Sequence, residues 1–252
     1  HFVPGQALDK NGHTSFGFKS GLYDEDNQWS VGVDAEYTSG FQYEFQENPD
    51  AFSFVQGLHY DYEVDAIVLA GFATKDVALS DRATLHLGAR GEYTYYDYNN
   101  LADTGTSGRF IRAADRTDDY FTLTPKVGLT YELDDIAFFA RAARGSRAPQ
   151  TIDLYSAQQN QVPGEAEVET LDSLEAGVRS RFFKRVKFEV TGYTAWKDNF
   201  FFRNANGFNV VNGKTRHTGV EASLDLPLGK GFSVQGSGTL ARHTYNFTED
   251  VG

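Results

Sequence analysis

Thr84-Leu85-His86-Leu87-Gly88-Ala89-Arg90-Gly91-Glu92-Tyr93-Thr94-Tyr95 sets Leu85, Leu87, Ala89, Gly91, Tyr93 and Tyr95 against Thr84, His86, Gly88, Arg90, Glu92 and Thr94. A period of two puts the first set on one face of a β-strand and the second on the other. The same alternation returns over Phe121 to Leu133, from Leu174 to Phe182, from Val220 to Leu226 and from Phe232 to Leu240. Weaker copies run over Thr14 to Leu22, Trp29 to Phe41, Tyr60 to Phe72, Ile136 to Arg144 and Val186 to Phe200. The chain therefore reads as about ten strands.

The connections decide how those strands are arranged. Short turns fall at Asp24 to Gln28, Thr74 to Asp81, Asp134 to Asp135, Phe183 to Arg185 and Gly229 to Gly231, rich in hairpin-forming residues. Long polar or mixed loops fill the other gaps, at Gln42 to His59, Asp97 to Asp119, Gly145 to Thr170 and Phe201 to Lys214. Short turns at one end and long loops at the other mark an all-β, antiparallel, up-and-down transmembrane barrel. A soluble antiparallel sandwich alternates in the same way. Two features favour the membrane: the apolar faces of the five clearest strands carry no charge, and Tyr93, Tyr95, Tyr120, Phe121, Tyr131, Phe182, Phe183, Phe232 and Tyr245 collect near strand ends. Arg242 is in phase with an apolar face, near its loop end. Arg90, Glu92, Lys126, Glu132, Glu175, Arg179, Glu221 and Asp225 should then face the lumen, and Leu87, Leu123, Val127, Val178, Val220 and Leu224 lipid.

Composition narrows the function. The longest apolar run, Ala66 to Ala73, has eight residues, and a membrane-spanning helix needs roughly 20. A charge of -12 disfavours a nucleic-acid binder, which needs a basic face. Without cysteine there is no disulfide, thiolate ligand or thiol nucleophile. Histidines at 1, 13, 59, 86, 217 and 243 show no metal-ligand spacing, so no metal site is expected. Gly213-Lys214-Thr215 lacks the upstream glycine spacing of a phosphate loop. No Ser, His and acid set assembles at meaningful spacing, so neither catalysis nor a cofactor is expected. The chain opens at His1 without a basic and apolar leader, as a mature or truncated segment would.

Phe138-Phe139-Ala140-Arg141, Gly145-Ser146-Arg147-Ala148-Pro149 and Leu154-Tyr155 together resemble the "RGFRAP…LY" stretch of TonB-dependent outer-membrane receptors. Glu169-Thr170-Leu171-Asp172-Ser173-Leu174-Glu175-Ala176-Gly177-Val178-Arg179 is similar to that family's "PETSxSYExGxR" strand. Asn212 to Glu221 resembles its "N…xxxGxE" strand and Arg242 to Tyr245 the end of the next. The family's "NPxLKPE" element is replaced here by Val162 to Glu169. The resemblance implies that residues 1–252 are part of a receptor barrel of roughly 22 strands, with the plug and the TonB-engaging region outside them. It further implies an importer of an iron–siderophore or similar small metal complex, sitting in outer-membrane lipid. A passive porin-like barrel and a soluble secreted domain binding carbohydrate or protein are the other readings.

The loops offer candidate ligand residues. Phe41-Gln42-Tyr43-Glu44-Phe45 with Phe52 and Phe54 would either meet a ligand or pack on neighbouring loops. Arg109, Arg112, Arg116, Arg144 and Arg147 would either hold an anionic chelate or pair with acids such as Asp103, Asp115 or Asp118. Phe200-Phe201-Phe202-Arg203 repeats the combination. Taken together, Tyr43, Phe45, Arg109, Arg112, Arg147, Tyr155 and Phe202 are expected to line an extracellular vestibule.

Overall fold

The computed structural model describes residues 7–48, 55–159, 161–182, 186–203 and 209–246, with the backbone alone at 181, 182 and 203. In chain order the elements are β1 (Leu8–Asp24), β2 (Trp29–Gln46), β3 (Gly57–Ser80), β4 (Ala83–Asn100), β5 (Gly105–Ser107), β6 (Phe110–Arg112), β7 (Arg116–Leu133), β8 (Ile136–Arg147), α1 (Thr151–Tyr155), β9 (Glu169–Phe182), β10 (Val186–Arg203), β11 (Asn209–Gly229) and β12 (Phe232–Tyr245). Ten strands form one antiparallel meander, β1-β2-β3-β4-β7-β8-β9-β10-β11-β12. The small β5–β6 hairpin stands in the connection between β4 and β7, and α1 in the one between β8 and β9. Neither insertion was foreseen from periodicity, because both are shorter than a pattern can register.

The strands are longer than the alternation suggests. A strand needs about 9–11 residues to cross the bilayer, and β3 has 24. Thr74 to Asp81, expected as a turn, is mostly β3, and the reversal occurs after Ser80. Here Asp76 meets His86 Nδ1 at 2.9 Å, and Lys75 donates to the Asn27 carbonyl. Polar residues below the apolar band still pair in the ladder. At the other end β2 runs on to Gln46, β4 to Asn100 and β7 starts at Arg116, each inside an expected loop. Above the lipid both faces can be polar, so the contrast that marks a strand fades while the ladder continues. The turn expected at Phe183 to Arg185 lies outside the described residues.

Register divides the sheet into two faces. Arg90 lies between Asp34 and Glu92, with Nη2 2.8 Å from Glu92, and Arg141 reaches Glu175 at 2.7 Å. The pairings Gly88↔Lys126, Glu132↔Ala137↔Arg179 and Glu221↔Thr191 put the eight charged residues named above on this same polar face. On it large side chains lie flat over glycines. A Cβ on Gly177 would stand 2.6 Å from Phe139 Cζ, and Phe72 covers Gly32 more closely still. The opposite face carries Leu87↔Val127, Val178↔Val190 and Leu224↔Phe188, with Leu123, Val220 and Leu240 openly exposed. In an outer-membrane barrel this apolar face meets lipid and the polar one the lumen.

Towards the long loops the lipid face turns polar. One continuous row, Arg144↔Asp172↔Trp196↔Arg216, crosses four strands. Arg144 forks onto Asp172 through Nε (2.7 Å) and Nη2 (2.6 Å), and the Arg216 guanidinium lies 5.6 Å from the Trp196 ring centre. Arg144 thus points away from the lumen and takes the second of its two readings, pairing with an acid.

Cysteine introduced singly into the full-length protein in its native membrane reads the two faces directly. A water-requiring, membrane-impermeant thiol reagent should label K126C and E221C at least tenfold faster than L123C and V220C. Faster labelling at L123C or V220C would show the faces to be inverted.

Candidate functional site

Polar-face positions at the long-loop ends of β3, β4 and β7 carry Tyr60, Tyr62, Val64, Tyr96, Tyr98 and Tyr120. A bare aromatic shelf would be costly to hydrate. The two interior connections fold back over it. Phe110 and Ala113 from the β5–β6 hairpin and Leu154, Tyr155 and Ala166 from the α1 segment complete one buried cluster. Tyr155 is fully buried, stacked on Tyr98 at 4.4 Å and edge-on to Tyr62 and Tyr96 at 6.4 Å each. Phe110 lies on the buried His59 ring at 3.8 Å, and His59 Nδ1 meets Glu44 Oε1 at 2.8 Å.

Four of the shelf tyrosines, Tyr60, Tyr62, Tyr96 and Tyr120, spend their hydroxyls on the covering segment. Tyr60 donates to the Ala157 carbonyl (2.6 Å), Tyr96 to Pro149 (3.0 Å) and Tyr120 to Ala166 (3.4 Å), while Tyr62 bonds the Ser156 hydroxyl (2.9 Å). In return Tyr155 donates to Asp118 at 2.8 Å. Burial, then the hydrogen bond to Asp118, pushes the Tyr155 phenol far above its ordinary range. Five-residue α1 could not persist alone. Pro149 precedes its N-cap Gln150, whose amide donates to Asp153 Oδ2 at 3.2 Å. Burial raises the Asp153 carboxyl despite that bond.

The hairpin and the α1 segment also grip one another. Ile111 N donates to Ala157 O (2.9 Å), Gln159 N to Arg109 O (2.6 Å) and Arg109 Nη2 to Gln158 Oε1 (2.5 Å). Arg116 binds Asp118 through two nitrogens and also reaches the Pro163 carbonyl. On the rim Arg147 and Lys197 share Glu169, at 3.3 and 3.0 Å.

Of the seven expected ligand residues, Arg109, Arg112 and Tyr155 come together in this assembly and Arg147 stands on its rim. Arg112 donates to the Leu58 carbonyl at 3.2 Å, and its Nε is buried without a hydrogen-bond partner among the described residues. Tyr155 anchors the covering segment rather than lining open space. Tyr43 and Phe45 stack on each other at 6.5 Å beside Lys10, on the face opposite Glu44 and the shelf. Phe202 leans on Phe200 at 5.3 Å and is not part of the buried cluster. Phe52 and Phe54 lie outside the described residues. Arg116, Arg144 and Arg147 take acidic partners, whereas Arg109 and Arg112 find amide and carbonyl oxygens. The shelf tyrosines were missed. Their signal is the switch of aromatics on β4 from the lipid-face positions Tyr93 and Tyr95 to the lumen-face positions Tyr96 and Tyr98. No group of three or more potential metal ligands exists among the described residues.

The family model for TonB dependent receptor-like β-barrels matches residues 4–252. No curated protein matches the sequence. Among solved structures, the ferric-catecholate import receptor Fiu from E. coli K12 is similar at TM-score 0.64 and 18% identity, over 97% of this chain and 39% of its own. The ferric yersiniabactin uptake receptor FyuA from Yersinia pestis gives 0.67 and 16%, over 95% and 36%. The copper transporter OprC gives 0.68 and 14%, over 95% and 39%. The chain spans less than two fifths of each of these structures.

Truncating Leu154, fully buried under the covering segment, should destabilise its docking by about 2–5 kcal/mol. In the full-length protein, Leu154→Ala should speed proteolytic cleavage within residues 148–168 at least tenfold, with the barrel's heat-modifiable gel mobility intact. Unchanged cleavage would mean that the cluster does not hold the segment.

Proposed function

The chain belongs to the TonB-dependent receptor β-barrel family, and from that premise we propose that its protein captures an iron–siderophore or similar small metal complex and imports it through the outer membrane with energy delivered by TonB. The observation that carries this reading is the covered mouth. Two connections from different strand pairs fold inward onto one wall and bring Arg109, Arg112, Arg116 and Arg147 to the lumen side of the barrel end. A receptor that must hold its cargo and then release it can use such a cover. The cover is held by packing and by hydroxyl bonds of about 1 kcal/mol net each, so it can rearrange when a ligand offers better contacts.

An acidic chain repels an anionic chelate at long range, so local guanidinium groups have to supply the attraction. In the proposed site Arg147, Arg109 and Arg112 bind the chelate's oxygens. Tyr155 becomes reachable when the α1 segment lifts, and Phe202 contributes aromatic surface from the rim, whereas Tyr43 and Phe45 face the other way and are left out of the proposed site. Among the similar proteins, Fiu is a ferric-catecholate import receptor, FyuA a ferric yersiniabactin uptake receptor and OprC a copper transporter. They support a metal complex as the cargo class.

An importer-deficient strain expressing the full-length gene should grow on at least one ferric siderophore and stop growing when TonB is deleted. Growth that persists without TonB would favour the passive barrel, and growth on haem or cobalamin alone would move the cargo class. Replacing Arg109 and Arg147 together by alanine should weaken binding of the supporting complex by on the order of 2–4 kcal/mol if both make charge-assisted bonds to it. Affinity within threefold of wild type, with the barrel folded, would retire those two residues as contacts.

A further inference from the structure

Two histidines 26 positions apart in sequence meet on the lumen face. β11 and β12 place His217 directly opposite His243, on the same face as Glu221. Their Nδ1 atoms stand 2.6 Å apart, with ring centres 4.8 Å apart and planes at 61°. His217 Nε2 lies 2.9 Å from the Thr215 hydroxyl, so its outer nitrogen is engaged and its inner one is turned towards its neighbour. As neutral rings the two Nδ1 atoms satisfy each other only when one carries the proton and the other its lone pair.

We propose that His217 and His243 are a binding site for a borderline divalent transition metal, Cu²⁺ above Zn²⁺, on the lumen wall. The ion replaces the shared proton. Metal–imidazole bonds of about 2.0 Å with cis angles between square-planar and tetrahedral need the two nitrogens about 2.8 to 3.3 Å apart. A few tenths of an ångström of side-chain rotation reaches that from the present separation. Imidazole suits copper, and the stability order of divalent ions puts Cu²⁺ above Zn²⁺ at a site of this kind. Lys197, which acts on His217 from β10, is held by Glu169 at 3.0 Å, so its repulsion is offset. Among the described residues no third histidine or carboxylate completes a set of three. Water or a ligand in transit has to fill the remaining positions, which makes the site an exchangeable one rather than a structural centre. Among the described residues, His13, His59 and His86 have no histidine partner of this kind. The site stands independently of the cargo proposed above.

Cu²⁺ titrated into the full-length protein in detergent, followed by electron paramagnetic resonance, tests it. Wild type should bind one ion with hyperfine coupling to two nitrogens. His243→Gln alone should lose one coupled nitrogen and bind at least tenfold more weakly, and H217N/H243Q should lose the signal. Zn²⁺ should compete at higher concentration than Cu²⁺ itself. A copper affinity within threefold of wild type in the double variant, or an unchanged nitrogen count, would overturn the proposal. Both variants keep polar side chains on an exposed lumen wall, and should either fail to reach the membrane, H217A measured alongside decides by the same nitrogen count.

Discussion

A backbone that crosses lipid has no water to satisfy its amides and carbonyls, so every one of them has to find another strand. That single requirement orders the rest of this structure. It makes the ten strands one uninterrupted meander, with each strand paired to its neighbour in the sheet along most of its length. It also separates the side chains, since a paired strand can only alternate them. Hydrophobic residues then face outward into lipid, and the lumen receives the charges, reversing the usual inside-out order of a soluble protein. The buried residues gather at the loop end rather than along the sheet. Among the described residues β1 and β12 each keep one unpaired edge, and lipid tolerates none, so further strands have to meet them.

The part of the fold held by this requirement is the part legible in the sequence. Thr84 to Tyr95 announces β4 because each residue there is sorted by lipid or lumen. The strand ends were misplaced because that sorting stops where the bilayer stops. Asp76 reads as a turn residue, yet it sits in the β3 ladder against His86. At the mouth, side chains are selected by contacts between distant segments. Tyr155 stood out through its resemblance to a family motif, but its place beneath the cover depends on Tyr98, 57 positions earlier, and Asp118. His217 and His243 carried no signal at all, because cross-strand register rather than spacing joins them.

The mouth also explains a division of labour among its aromatics. Phenylalanine on the lipid face needs only to be apolar, as Phe121 and Phe138 are. On the shelf the residue is tyrosine, because its ring packs while its hydroxyl can bind the covering segment, as Tyr60, Tyr96 and Tyr120 do to its carbonyls. Such contacts are numerous and individually weak, which suits a cover better than one strong clasp.

The Arg144, Asp172, Trp196 and Arg216 row bears on mechanics. Pushed one or two residues deeper, it would carry guanidinium and carboxylate groups into hydrocarbon, where an arginine costs about 2–4 kcal/mol at mid-depth. Pulled the other way, the apolar rows beneath it would surface into water. The row is therefore a waterline, and it fixes how deep the wall floats. In the import proposed above, force from beneath has to reach the movable parts without sinking the barrel, and a wall with a waterline can take that load as a fixed frame.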